Sequence, residues 1–205
     1  MSEPLRIVKL GGSLLDWDGL PRAWHNWLAA QPPARNVLVA GGGRLADQVR
    51  YYDQRHSLDA TTAHLAAGLT LSVTARLAAG LLGGLQLVTQ RDDLDTAVGS
   101  AGCVVLDPYA FLAGDEAAVA EGGLPHGWEV TSDSIAARLA RATLADELVL
   151  LKSALPRRGA SWSEVVGQGL IDAYFPLAVA GVSSVRWVNL RDPTVPAWRP
   201  PMISS

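Results

Sequence analysis

Two glycine loops, each entered from a short apolar run and left into a helical pattern, constrain this chain more than any other feature. Residues 5–10 form the strand-like run Leu-Arg-Ile-Val-Lys-Leu, followed by Gly11-Gly12-Ser13 and a helical pattern over 17–31 that stops before Pro32-Pro33. The unit then repeats: a strand over 36–40, the loop Gly41-Gly42-Gly43, and a helix over 44–55. Glycines at such turns let backbone amides surround an oxyanion, and the helix that follows turns its positive end toward it. Two loops in succession suit two anions, a donor and an acceptor. The plain alternative is a pair of tight turns.

The rest of the chain continues the alternation. Residues 58–82 read as one long helix or two abutting ones, and short continuous apolar runs recur at 85–88, 103–106, 148–151 and 185–188. A helix is expected over 135–144, introduced by Thr131-Ser132-Asp133-Ser134. Strands alternating with helices predict an α/β fold, a three-layer α/β/α sandwich with a mostly parallel central sheet. At 205 residues the chain is expected to form one domain. The proline-rich tail from Asp192 reads as a surface strap or a frayed end.

Composition excludes several classes. A net charge of -3 gives no basic footprint for nucleic acid, so small molecules are the expected partners. The apolar stretch 60–90 is broken by Arg76 and by glycines, and is expected to be buried helix, with no membrane partner. The amino terminus shows no basic-then-apolar leader, and a cytoplasmic location is expected. Cys103, the single cysteine, lies in an apolar run and is expected to be a buried thiol. The histidines at 25, 56, 64 and 126 show no metal-ligand spacing, and no protein-held metal is predicted.

Of 17 basic residues only Lys9 and Lys152 are lysines. In a chain so biased toward arginine, these two positions are candidates for sites where a compact ammonium is needed. Lys9 stands two residues before the first glycine loop, where an ammonium would stabilise charge on a transferring phosphoryl group. Lys152 ends a strand, and ligands of open α/β sheets gather at carboxyl ends of strands, the open alternative for both lysines being a strand-end side chain facing water. Asp133, flanked by Ser132 and Ser134, has two open readings: a helix cap, or a carboxylate that orients the lysines. The serines share the choice between capping and phosphate binding. No Walker-type loop or nucleophile elbow occurs, and the Gly41, Gly43, Ala46 spacing lacks the acidic residue of a dinucleotide site.

Taken in order, Lys9-Leu10-Gly11-Gly12-Ser13, Ala40-Gly41-Gly42-Gly43, the run from Thr131 to Ala136, and Leu150-Leu151-Lys152 resemble the amino acid kinase superfamily. The resemblance implies an acceptor-side lobe over about 1–128 and a shortened nucleotide-side lobe over about 129–205. It implies an ATP-dependent kinase using Mg2+, with Lys9 and Asp133 catalytic and Gly11 and Gly12 on the nucleotide phosphates. Ser13, Ser132 and Ser134 are expected beside them, and Lys152 is expected to substitute for the usual second lysine, the alternative being weak or absent catalysis. The second loop, Gly41, Gly42 and Gly43, would face an anionic acceptor. Arg44 or Arg50 is expected to hold the acceptor's anion and Asp47 a cationic group, against the alternative of a solvated helix face. The phrases around Arg44 to Arg50, His64 and Leu124 to Asp133 look like the small kinases of methanofuran biosynthesis that act on aminomethylfuran-methyl phosphate.

The chain departs from the superfamily at Lys152-Ser153, where Thr-Asp is usual, and has no later lysine. A non-catalytic oxyanion- or nucleotide-binding protein is therefore the second expectation, and a carboxylate kinase forming an acyl phosphate the third. A homodimer through 58–82 is also expected, because that stretch carries more apolar surface than one sheet face needs.

Overall fold

A computed structural model of the chain describes residues 3–109 and 124–200. Six strands, β1 (Leu5–Leu10), β2 (Arg35–Ala40), β3 (Gln86–Val88), β4 (Cys103–Leu106), β5 (Glu147–Lys152) and β6 (Val185–Asn189), form one sheet in the order β3-β4-β2-β1-β5-β6. Every pairing between them is parallel. Such a sheet must be covered on both faces, which is why its strands read as continuous apolar runs.

Alternation along the strands separates two cores. Ile7, Val37, Val39, Val104, Leu106, Leu148, Leu150 and Trp187 point to one face. There they meet α4 (Leu94–Ala101), α5 (Ser132–Ala142), α6 (Trp162–Gly167) and α7 (Phe175–Ala178). Val8, Leu10, Leu38, Ala40, Val105, Val149 and Leu151 point to the other, against α1 (Leu20–Ala29) and α3 (Ala60–Leu81). The remaining helix among the described residues, α2 (Gly43–His56), fully buries none of its side chains. The three-layer architecture expected from the sequence is therefore present.

Several expectations shift in detail. The first helix is shorter than 17–31 because Gly12–Leu14 forms a 3-10 turn and the chain turns again before Leu20. The stretch 58–82 holds one helix, Ala60–Leu81, whose N-cap Asp59 accepts from the Thr62 amide at 2.9 Å. The helix expected over 135–144 starts earlier, at Ser132, capped by Thr131. Helices α4, α6 and α7 were not expected. The tail is a strap: Trp198 is buried and exchanges both backbone hydrogen bonds with Trp187, the one antiparallel bridge among the described residues. Cys103 is buried, and burial pushes its thiol up to about 11. No described helix is long and apolar enough to cross a membrane.

At the amino ends of the strands, Arg6 and Arg186 both reach Glu147, at 2.8 and 3.0 Å. Burial opposes ionisation of Glu147, but the two guanidiniums hold its carboxyl below the ordinary glutamate value. This pairing ties β1, β5 and β6 together at the end opposite the glycine loops.

Candidate functional site

β1 lies between β2 and β5, so the chain leaves it toward one edge of the sheet and returns on its other side. The carboxyl ends on either side of such a reversal diverge into a crevice, where ligands of open α/β sheets collect. Lys9 and Lys152 both share the face that carries α5. Their ammoniums converge on Asp133: Lys9 Nζ is 2.9 Å from Oδ1 and Lys152 Nζ 2.7 Å from Oδ2. Lys152 also donates to the Leu170 carbonyl at 2.8 Å. The Lys9 contact is an ion pair without well-aligned hydrogen-bond geometry, leaving Oδ1 with no aligned donor.

Lys9 and Asp133 are buried and Lys152 is mostly so, and taken alone the three carry one excess positive charge. Burial pushes the Asp133 carboxyl upward, but Lys152 and Lys9 outweigh it and hold the group below the usual aspartate value. Burial likewise brings Lys152 down to about 8, with the Asp133 carboxylate opposing the fall and Lys9 adding to it. Of the two readings of Asp133, the helix cap belongs instead to Thr131, so the Asp133 carboxylate is free for the lysines while it stands in the first turn of α5.

Sequence reasoning missed Asp172. Its buried carboxylate accepts from the backbone amides of Thr131, Ser134 and Phe175 and from the hydroxyls of Thr131 and Ser134, so it ties the start of α5 to the turn before α7. The Ser134 hydroxyl, expected at a nucleotide phosphate, is thus engaged with Asp172. No motif marks Asp172; only the fold brings it to residues some forty positions away.

The two glycine loops lie back to back. A Cβ on Gly12 would stand 2.3 Å from the Gly43 amide nitrogen, and one on Gly41 would stand 2.8 Å from the Gly12 nitrogen. Gly43 has φ +53°, a left-handed conformation that favours glycine. The Gly11 amide donates to the Leu151 carbonyl and the Gly41 amide to the Leu10 carbonyl, each at 2.8 Å. Close backbone packing by itself therefore demands Gly12 and Gly41, the left-handed φ demands Gly43, and the packing sets both loops beside the lysine cluster. Ser13 Oγ is 3.3 Å from Ser153 Oγ, and its carbonyl accepts from Arg191 at 3.2 Å.

Beyond the loops, a cavity of about 500 Å³ runs between α2, α3 and the segment 124–132. Gly12, Ser13, Ser132 and Gly41 to Gly43 line one end. Asp47, Arg50 and Asp53 follow along one face of α2, spaced so that Asp53 is about 15 Å from Gly43. The Arg50 guanidinium lies 4.6 Å from the Trp128 ring centroid and 3.4 Å from Asp47, and the Trp128 indole donates to Asp53 at 2.6 Å. His64 and His126 stack at 3.9 Å in the same wall. Arg44, by contrast, pairs with Asp16 at 3.0 Å and is outside the cavity lining. Trp128, Asp53 and the histidine pair carried no recognised role in the sequence; a tryptophan in a polar loop between glycine and glutamate was the one available hint.

No group of three His, Cys, Asp or Glu side chains able to hold a metal occurs among the described residues. Buried ammoniums, backbone loops and a helix start fit an anion instead.

Comparison with solved structures finds the same architecture. A uridylate kinase from Archaeoglobus fulgidus aligns with TM-score 0.59 at 15% identity, over 89% of this chain and 88% of its own. An aspartate kinase from Synechocystis aligns with TM-score 0.67 at 14% identity, over 98% of this chain and 40% of its own. A UMP kinase from Ureaplasma parvum gives 0.63 at 13% identity, over 94% and 92%. The chain has the amino acid kinase fold. No family model and no curated protein matches the sequence. In this fold the Lys9, Asp133 and Lys152 cluster stands at the sheet's carboxyl edge, with the cavity beside it.

Proposed function

We propose that the chain is an ATP-dependent small-molecule kinase, acting in the cytoplasm on an anionic acceptor held in the α2–α3 cavity. What supports it most is the buried Lys9–Asp133–Lys152 cluster beside two abutting glycine loops. Two ammoniums locked by one carboxylate would meet the charge that builds during phosphoryl transfer without reorganising at that moment. An acceptor phosphate oxygen attacks the γ-phosphorus of ATP, the bond to the β-bridging oxygen breaks, and ADP leaves with that oxygen's electron pair. A phosphate acceptor is already ionised, so the step needs positioning and charge neutralisation rather than a base. Magnesium would arrive on the nucleotide phosphates, keeping much of its water, and neutralise their charge.

For the acceptor we propose aminomethylfuran-methyl phosphate, on the resemblance of the 44–50 and 124–133 phrases to kinases of methanofuran biosynthesis. Arg50 for the anion and Asp47 or Asp53 for the amine suit a molecule carrying both charges. A second reading, a non-catalytic oxyanion-binding protein, is favoured by one fact: both lysines already have their carboxylate, and Lys152 has a carbonyl as well.

Calorimetric titration with ATP and Mg2+ separates the two. Saturable binding, followed by a diphosphate product when the phosphate acceptor is added, is the expected result. Binding of phosphate with no nucleotide effect favours the second reading and refutes the kinase. A product trapped by hydroxylamine would instead reveal a carboxylate acceptor.

A further inference from the structure

The segment 170–175, between α6 and α7, meets the lysine cluster from two sides. Its Leu170 carbonyl accepts from Lys152 Nζ at 2.8 Å, and two residues further on the Asp172 carboxylate binds the start of α5. Asp133, in the first turn of α5, accepts from the same ammonium at 2.7 Å. The contacts close a ring: Lys152 to Asp133, along the first turn of α5 to Asp172, and back through Leu170 to Lys152. Ile171 and Phe175 are buried in the core on the α5 face, so the segment is a fixed platform.

One carboxylate joins the two sides of this ring. Oδ2 accepts from the Thr131 amide and hydroxyl and from the Ser134 amide, at 2.9, 2.7 and 3.1 Å. Oδ1 accepts from the Phe175 amide at 2.9 Å and from the Ser134 hydroxyl. An asparagine has a single acceptor oxygen and would turn its NH2 toward amides that can only donate, so it cannot serve both sides. The Tyr174 amide adds a bond to the Glu129 carbonyl at 3.1 Å, and Val130, Thr131 and Ser132 line the cavity. The platform thus carries the cavity wall and the lysine cluster together. Capping of α5 explains the bond to the Ser134 amide, but it leaves the grip of the same segment on Lys152 without a reason.

We infer that Asp172 is a positioning residue for phosphoryl transfer: it binds the start of α5 to the platform 170–175, and so fixes the Lys152 ammonium between Asp133 and the Leu170 carbonyl, in register with the acceptor cavity. Asp172 touches no reactant; it acts through Asp133 and Lys152. Its part in the transfer rests on the kinase reading above, whereas its placement of Lys152 does not. A displacement of about 1 Å at such a site can cost about a hundredfold in rate.

Among the described residues, Lys152 is faced by Asp133 from α5, Lys9 from β1, the Leu170 carbonyl, and the Trp187 ring of β6 at 5.8 Å. Its titration in the folded protein therefore reports the ring directly. The test compares Asp172→Asn with Val98→Ala, which removes buried contacts of α4 and touches no member of the ring. Labelled lysine Nζ resonances give the titration, and a steady-state assay gives kcat and the KM for ATP. In Asp172→Asn, Lys152 should titrate below its present value of about 8, because its counter-charge is no longer held against it. Its kcat should fall about tenfold or more, with KM for ATP within about twofold of the parent. Val98→Ala should lower the urea midpoint yet leave Lys152 near 8 and kcat near the parental value. If Asp172→Asn does not fold, Ser134→Ala, which removes one donor to Asp172, should move the titration the same way by less. A rise of Lys152 toward a free lysine's value would show the ammonium released into water, and supports the same placement. A folded Asp172→Asn, or in its stead Ser134→Ala, with Lys152 still near 8 overturns the inference, as does a parental kcat in Asp172→Asn. A parent with no phosphoryl transfer overturns the kinase reading, and the Lys152 titration then decides the placement alone.

Discussion

Asp133→Asn isolates the charge at the centre of the lysine cluster while nearly preserving shape. At N to O separations of 2.9 and 2.7 Å, each attraction is roughly 6 kcal/mol in an effective dielectric near 20, before the opposing desolvation of the groups. An asparagine leaves Lys9 and Lys152 buried against an amide, and stranding buried charges in this way costs about 3–5 kcal/mol. That is a large share of the roughly 5–15 kcal/mol that holds a domain folded. The cost should appear as a lower urea midpoint with unchanged slope. Lys152, deprived of its counter-charge, should titrate further below its present value of about 8. With two lysines in the chain, selectively labelled Nζ resonances report this directly. Adding Lys152→Met should restore much of the lost stability by removing a stranded charge, yet leave phosphoryl transfer down by about a hundredfold or more. A parental urea midpoint in Asp133→Asn, with Lys152 still titrating near 8, would refute the coupling of the three charges.

Lys9→Arg should lose most phosphoryl transfer in a steady-state assay and about 1–3 kcal/mol of stability, since a buried site shaped around an ammonium must admit a broader, planar group. Stability should rise as pH climbs from about 8 to about 10.5, a gain of about 3 kcal/mol from Lys152 alone, measured by urea unfolding at each pH. The sign follows because the folded value lies below that of a free lysine, so the unfolded chain binds the proton more tightly across that window. Gly12→Ala must part the two glycine loops, its Cβ otherwise meeting the Gly43 nitrogen at 2.3 Å. Nucleotide titration of that variant should show weakened binding and thermal melting a lower Tm, whereas Gly80→Ala, inside helix α3 with open space around it, should leave binding unchanged and raise the Tm slightly.

Much of the fold was legible in the sequence because a sheet buried on both faces turns each strand into an unbroken apolar run. The turns after β1 and β2 were legible for a similarly local reason, since the glycines that close them stand in the chain directly after the strands. Local signals failed where packing alone makes the element. Helix α4 contains threonine, glycine and an acidic first turn, and its buried Leu94, Ala97 and Val98 anchor it to the core. The site divides in the same way. Lys9, Asp133 and Lys152 could be chosen from the sequence by rarity and by position at the ends of elements. That one carboxylate holds both ammoniums depends on β5 returning beside β1, on strand parity that puts both lysines on the α5 face, and on Thr131 taking the cap. Asp172, the Trp128–Asp53 contact and the His64–His126 stack join residues from separate elements. Their positions follow from tertiary packing, because a side chain's partners are set by the order of strands and the burial of faces, and neither is encoded within the short window that a local pattern spans.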